Sequence, residues 1–450
     1  MTRHDAHRTV CPICAASTDD AEAAARIARW LDPLGGLPAE VGGDHFGLTP
    51  AAFDIFVHAF GVDHAGKART LAQTHDLARA YLAPFVLKVA LDMLGELLRA
   101  LRANPDTAIV FLGRDGFVFG YVVAALMPEF YAAHCVAMYL PRHLADAALR
   151  DQETTEAGDF SEVAVFRKSA SPAPDATGAQ ARLTAYFAAH GIAILDKPAI
   201  HFVDSGFKGS IQEMLAAAYR ADDFFGHYAF HATSASDPHP GSKRGYALHL
   251  DSVRGRDGLA LRTRLPEDPA LTFQHHEAVV AFESMIAGSK SSPTAFDSYG
   301  RPQLRRRRHE ARPLDGLNPA LIAADYTDPL LREAVAAMNI FAIVQYARDV
   351  APALRAAGPA WYETVTETPQ YARLTARSVA LRDQIRAWVA RSPAVHPEFA
   401  ALLDAFAPRT DKDVIRELDR QLRSAGTTEE QRDEIWRTVT ELYLPGRDAP

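Results

Sequence analysis

Two segments of this chain place a short apolar run directly before a glycine-bearing loop, and this arrangement most constrains the fold. The run at 108–112 leads into the loop at 113–116, and the run at 199–203 leads into the loop at 204–210. Short apolar runs that end in glycine turns are typical of buried parallel strands. Because the carboxyl ends of parallel strands share one crevice, we expect the two loops to form a single phosphate-binding site.

The surrounding pattern is that of an α/β protein. We predict helices over 76–103, 117–127, 179–190 and 211–221, and further strands over 134–140, 226–230 and 246–250. The polar stretch 148–178 is interpreted as a long loop, typical of a lid. The expected fold is an open parallel sheet flanked by helices, with helical N- and C-terminal extensions. The predicted domains are an N-terminal helical segment (1–74), an α/β catalytic domain (75–315) and a C-terminal helical domain (316–450).

Both loops have the chemistry of an anion site. Glycine lets a phosphate approach the backbone, and amides at a helix N-terminus favour anions. Lys208 and Ser210 add a positive charge and a hydroxyl, and Asp204 is placed to accept hydrogen bonds from sugar hydroxyls. Arg114 suits bidentate phosphate binding, whereas Asp115 suits either Mg²⁺ or capping of the following helix. The candidate substrate-binding residues are Gly113, Gly116, Ser205, Gly206, Phe207, Lys208, Gly209 and Ser210.

Charge and hydropathy limit the classes of partner that we expect for this protein. The net charge of -8 argues against a nucleic-acid partner, because such proteins are more often basic. The most apolar window, 81–98, contains Lys88, Asp92 and Glu96, so we expect a buried or amphipathic helix there and no membrane span. No apolar signal region begins the chain, and we expect a cytoplasmic protein.

The chain has three cysteines, two of which form a CxxC pair at Cys11 and Cys14. A structural zinc site normally needs four ligands, which His4 and His7 could complete. Two reduced thiols in an N-terminal tail are the alternative. The count excludes a disulfide framework.

The order of these elements resembles the type I phosphoribosyltransferases. In that family the later loop, usually two acidic residues followed by small polar residues, holds the 5-phosphate and ribose of phosphoribosyl pyrophosphate. The segment 203–210 resembles a variant of it, with Ser205 where the second acid usually stands.

A closer resemblance is to the glycan phosphoribosyltransferases of bacterial capsule and O-antigen synthesis, which are often fused to a haloacid-dehalogenase-type phosphatase. Four motifs carry it in order: 113–117, the Tyr-Leu-Pro-Arg of 139–142, 203–212, and Glu283 before 289–299. Gly113 and His143 depart from the usual pattern. The phosphatase signature DxD(T/V) is absent; 53–56 lacks the second aspartate.

The resemblance implies transfer of a 5-phosphoribosyl group to a hydroxyl of a saccharide, with release of pyrophosphate and later removal of the phosphate by a separate phosphatase. Arg114 and Arg142, with Mg²⁺ on Asp115, are expected to stabilise the departing pyrophosphate. Asp204 is expected to contact the ribose. Asp115, Asp204 or Glu283 is the general base, and Glu283 could also bind the acceptor or be a buried structural acid.

Three alternatives stay open. The acceptor could be a small natural product such as an aminocyclitol. The protein could bind phosphoribosyl pyrophosphate without turnover, which the single acid at 204–205 favours. It could also hydrolyse a phosphosugar, although the missing DxD disfavours this. The basic run 305–308 is interpreted as a solvated loop, with contact to an anionic partner as the alternative, and the helices after 319 carry no readable chemistry.

Overall fold

The computed structural model of the chain describes residues 60–61, 65–167, 176–234, 236–251, 264–288, 292–293, 295–297, 300–303, 328–406 and 411–443. The CxxC pair with its two histidines, most of the predicted N-terminal segment, the basic run 305–308 and most of 289–299 lie outside these residues. The expectations made for them are therefore not addressed below.

Five strands and the helices around them make up the described part of the chain. The strands are β1 (Ala108–Leu112), β2 (Cys135–Met138), β3 (Ile200–Phe207), β4 (Phe224–Ala232) and β5 (Lys243–Leu250). The α-helices are α1 (Ala65–Leu77), α2 (Ala83–Ala103), α3 (Phe117–Leu126), α4 (Pro128–His134), α5 (Arg142–Thr155), α6 (Ala164–Arg167), α7 (Ala179–Ala189), α8 (Ser210–Tyr219), α9 (His276–Ile286), α10 (Pro329–Arg355), α11 (Trp361–Thr364), α12 (Pro369–Val389), α13 (Pro397–Phe406), α14 (Asp411–Ser424) and α15 (Glu429–Tyr443). A π-helical turn, Ala78–Leu82, joins α1 to α2.

The strands form one sheet in the order β2-β1-β3-β4-β5, and every neighbouring pair is parallel. Val110 pairs with Val136 on one side and with Phe202 on the other, so β1 and β3 are direct neighbours. The predicted open parallel sheet flanked by helices is confirmed. The strand order reverses direction between β1 and β3, and ligands of such sheets bind at that point.

Side chains of β1 alternate between two apolar layers, as a strand buried on both faces requires. Ile109 and Phe111 pack in the core built mainly with α2, α3 and α10. Val110 and Leu112 pack in a second core with α5, α7 and α8. The sheet is therefore held rigidly between two helical layers, which fixes the positions of the loops at its carboxyl edge.

One helix among the described residues is long and apolar enough to cross a membrane. It is Leu330–Arg355, and 89% of its apolar 18-residue window is buried inside the protein. Core helices of soluble proteins have the same length and composition.

The predicted long loop at 148–178 is wrong for most of its described residues. Residues up to Thr155 belong to α5, a 3-10 turn covers Ser161–Val163, and α6 follows; 168–175 lie outside the described residues. The polar pattern was misleading because Asp151, within this stretch, is buried in α5 and accepts hydrogen bonds from the amides of Gly178 and Gln180, at 2.9 and 3.0 Å. Asp146, earlier in α5, is fully buried as well and is paired with Arg150 and Arg167, at 2.6 Å each. Polar positions that suggested a loop are thus part of a packed helix.

Candidate active site

The predicted later loop is shorter than expected, because β3 continues to Phe207 and only residues 208–209 separate it from α8. The two glycine-bearing segments nevertheless lie side by side at the carboxyl ends of β1 and β3. Gly116 shows how close they come: a Cβ added there would lie 2.4 Å from the carbonyl oxygen of Leu112 and 2.7 Å from that of Val203. Only a residue without a side chain allows this approach. The structure therefore brings together the loops that the sequence predicted to share a crevice.

Asp115 of the earlier loop, Ser205 of β3 and Glu283 of helix α9 form an acid cluster. The Ser205 hydroxyl, fully buried, makes a short hydrogen bond to Asp115 Oδ2 and lies 2.9 Å from Glu283 Oε1 on α9. Asp115 and Glu283 are only partly buried, so the cluster opens toward the crevice. Asp115 therefore binds Ser205, and no side chain caps α3.

The Ser205 hydroxyl cannot donate to two ionised carboxylates at once, because it has a single proton and an ionised carboxylate only accepts hydrogen bonds. Both contacts are satisfied when one carboxyl group is protonated and donates to Ser205, while Ser205 donates to the other. Removal from water, together with the charge of Asp115, raises the pKa of Glu283 to about 8. At neutral pH Glu283 is accordingly the protonated member, and Asp115 accepts from Ser205.

Asp204 and two arginines complete the electrostatics of the cluster. Loss of hydration and then the charge of Asp115 raise the pKa of Asp204 well above its usual range, although the Ser205 amide donates to its Oδ1 at 2.8 Å. Arg142 lowers the pKa of both Asp204 and Glu283, and Arg114 lowers that of Glu283. Three acids and two arginines predicted from separate motifs are thus electrostatically coupled.

The loop before α8 leaves the first turn of that helix without a side-chain cap. Its N-cap is Gly209, with a φ of 70°. An N-cap without a side chain leaves the first-turn amides available to an anion. Ser210 begins the helix, which places its hydroxyl beside those amides.

A fully buried lysine supports this loop from below. A Cβ added to Gly209 would lie 2.6 Å from Lys243 Cε, so the loop rests directly on this side chain. Lys243 Nζ is paired with Glu213, with Asp237 at 2.8 Å and with the carbonyl of His239 at 3.1 Å. His239 in turn donates to Glu213 at 2.8 Å. This network could not be predicted from the sequence, since its members come from α8, β5 and the chain between β4 and β5.

The remaining predicted loop residues have simpler surroundings. Gly113 packs against Phe117 and Tyr139, and Gly206 lies against the carbonyl of Phe230. The peptide bonds that follow Gly113 and Gly206 are both cis.

Two residues of the later loop lie outside the acid cluster. The carbonyl of Phe207 accepts a hydrogen bond from His231 at 3.2 Å. Lys208 is half-buried, and no described residue forms a salt bridge or hydrogen bond with its side chain. Lys208 therefore keeps its three donors available at the edge of the loop.

No group of three or more Asp, Glu, His or Cys side chains within the described ranges is arranged to hold a metal ion. Asp115 still offers a partly exposed carboxylate, and Mg²⁺ is usually held by one or two carboxylates together with substrate phosphates and water. The donor set thus fits a magnesium ion that arrives with a phosphorylated substrate.

Comparison of the chain with protein-family models, with curated proteins and with solved structures finds no match.

Proposed function

We propose that this protein is a phosphoribosyltransferase with a type I phosphoribosyltransferase-like fold. It moves the 5-phosphoribosyl group of phosphoribosyl pyrophosphate to a hydroxyl of a saccharide and releases pyrophosphate. The observation that carries the proposal is the meeting of Asp115, Ser205 and Glu283 at the carboxyl ends of β1 and β3. Ser205 stands where the family usually has its second acid, and the carboxyl groups of Asp115 and Glu283 both contact it. Carboxyl groups are therefore present at this position, which favours catalysis over donor binding alone.

The later loop suits the 5-phosphate. The uncapped amides at the start of α8 and the half-buried Lys208 provide donors of the kind a phosphate monoester requires. Binding at this end anchors the donor away from its reacting carbon, so that binding energy can be used to position C1. Asp204, in the carboxyl-terminal half of β3 and directly before Ser205, is the acid we assign to the ribose hydroxyls.

The earlier loop suits the pyrophosphate. Arg114 and Arg142 approach the cluster from two different elements and would balance the charge that develops as the C1–oxygen bond breaks. Asp115 would hold Mg²⁺, which supplies positive charge to the phosphate oxygens when it is bound. The bonding pair leaves with pyrophosphate.

Glu283 is the residue we assign to proton transfer. A general base works best when its pKa lies near the working pH, and the pKa of Glu283 is about 8. In its ionised form it takes the proton of the acceptor hydroxyl as the acceptor oxygen bonds to C1. Ser205 keeps the carboxyl group of Glu283 in place, and Asp115 orients the Ser205 hydroxyl.

The test is to incubate the protein with phosphoribosyl pyrophosphate, Mg²⁺ and separate panels of saccharides and aminocyclitols. Pyrophosphate release should depend on the acceptor, and mass spectrometry should detect a phosphoribosylated product. Saccharide acceptors are expected from the proposal, and activity on aminocyclitols alone would move the function to natural-product ribosylation.

The matched control is Glu277→Gln, which removes a half-buried acid from the same helix as Glu283; its ion pair with Arg391, at 3.9 Å, involves no residue of the proposed site, so the rate should be unchanged. Failure of the protein both to bind the donor in calorimetry and to release pyrophosphate with any acceptor would reject the proposed function.

A further inference from the structure

A small open cavity lies beside the edge strand β5. It has a volume of about 120 Å³ and is lined by α2, β5, the 3-10 turn Pro269–Gln274 and α12. Phe85, Val89 and Phe273 form apolar walls, and the partly exposed Val379 stands among its lining residues. The site of the proposed transfer reaction includes none of these residues.

The helix α12 presents one continuous stripe to this cavity. Thr375, Ser378, Val379 and Arg382 follow the spacing of residues on a single helical face. Thr375 and Ser378 already donate to backbone carbonyls, at 3.0 Å to Tyr371 and 2.8 Å to Leu374. Arg382 is therefore the member of the stripe with donors to offer.

The charges around the cavity are compensated except at Arg382. Lys88 also lines it, but its Nζ is paired with Asp92 Oδ2 at 2.6 Å. The Tyr246 hydroxyl donates to Glu96 at 3.0 Å. Arg382 forms no ion pair with any described residue, and its buried Nε has no hydrogen-bond partner among them.

A buried donor without an acceptor costs about 1–3 kcal/mol, more when it belongs to a charged group. A second buried donor without a partner, Arg386 Nη1, follows one turn later on the same helix. An anion that enters the cavity would supply an acceptor to a guanidinium group, which binds carboxylates well.

We propose that this cavity binds a small carboxylate with a compact apolar body. The carboxylate pairs with Arg382, and the body lies between Phe85, Val89 and Phe273. The volume is somewhat below the about 150 Å³ of an apolar cavity that accommodates benzene in another protein, so the apolar body can be no larger than one ring and the carboxylate lies at the open side of the cavity. No part of the inference depends on the proposed transfer reaction.

Benzoate is the probe, and benzyl alcohol is its uncharged counterpart. Saturable binding of benzoate to the whole protein, without phosphoribosyl pyrophosphate, is measured by ligand-observed NMR and calorimetry. We expect Arg382→Gln to weaken benzoate binding at least about tenfold, the loss expected for one charged hydrogen bond. Benzyl alcohol should bind the wild type more weakly than benzoate by a similar factor.

The control is Arg373→Gln, an exposed arginine of the same helix, which should leave binding unchanged. Val379→Trp tests the same proposal without touching the charge, because a bulky ring at this partly exposed position should block entry. Thermal melts check that each variant is folded. Absence of saturable benzoate binding, equal binding by Arg382→Gln, or equal affinity for benzyl alcohol would overturn the inference.

Discussion

Oε1 of Glu283 lies 2.9 Å from the hydroxyl oxygen of Ser205, although the two residues are 78 positions apart in the chain. This contact joins helix α9 to the end of strand β3. It creates an acid whose proton is held within a hydrogen-bonded group at neutral pH.

Glu283→Gln should lower the transfer rate about 100-fold or more, the usual contribution of a general base, while donor affinity stays within a factor of a few. The amide keeps the size of the side chain and can still donate to Ser205, but it cannot take a proton. Steady-state rates and donor titrations on the same preparation separate the two effects. A donor affinity that fell as far as the rate would show that Glu283 binds the donor instead.

The same substitution should change how stability depends on pH. The pKa of Glu283 is about 8 in the folded protein, above its usual value of 4.5, so this group favours the folded state at low pH and loses that contribution as pH rises to 8. Glu283→Gln lacks this dependence. Its stability relative to the wild type should rise between pH 5 and pH 8, by no more than about 1.4 kcal/mol per pH unit. Urea unfolding across this range measures it, and parallel curves would contradict the assigned pKa.

A histidine pair gives the opposite pH dependence. His201 Nδ1 lies 2.7 Å from His227 Nε2, and burial lowers the pKa of His201 to about 4 and of His227 to about 3. Because the unfolded chain binds protons more readily, stability should fall as pH drops from 6.5 toward 4. His201→Gln should reduce that loss. A wild-type unfolding free energy that is level between pH 6.5 and pH 4.5 would contradict this.

Gly116→Ala should destabilise the protein by about 1–3 kcal/mol, the usual cost of forcing atoms into a packed site. The new methyl group would meet backbone oxygens of Leu112 and Val203, and neither strand can move freely. Gly95→Ala is the control, since its Cβ meets nothing within 4 Å on α2 and should stabilise the helix by roughly 0.5–1 kcal/mol. Thermal and urea unfolding compare them. Equal effects would mean that the loops are not tightly apposed.

Lys208→Ala should weaken donor binding about tenfold or more, because it removes a charged donor from the 5-phosphate loop. Arg114→Ala should mainly lower the turnover rate, because its charge is needed most when pyrophosphate leaves. Donor titration and single-turnover kinetics distinguish them. Identical defects in the two variants would show that the loops do not divide these roles.

Much of the sheet was predictable from the sequence because its signals are local. The run 108–112 predicted β1 at its observed bounds, and the pattern at 179–190 predicted α7 to within a residue. Parallel strands placed the loops on one edge, so their proximity followed from topology. The helix α5 was missed because its buried Asp146 is compensated by Arg167, which is distant in sequence.

The chemistry of the site could be predicted only in part. The sequence singled out Ser205 as a departure and Glu283 as an acid of uncertain role, but it could not show that they touch. That contact depends on how α9 packs against the sheet. The support of Gly209 by Lys243 was beyond prediction for the same reason, since it depends on side chains that converge only in the folded chain.

The buried ion pairs of Lys243, beneath the later loop, determine how the site responds to ionic strength. Lys243, Glu213 and Asp237 have no exposed side-chain surface in their ion pairs, so dissolved salt screens them far less than it screens exposed charges. The attraction of the proposed phosphorylated donor to Lys208 and Arg114, by contrast, would act across solvent and weaken as salt is added. In concentrated salt we expect the loop to keep its conformation while the affinity for the proposed donor falls, which separates the architecture of the site from its recognition of charge.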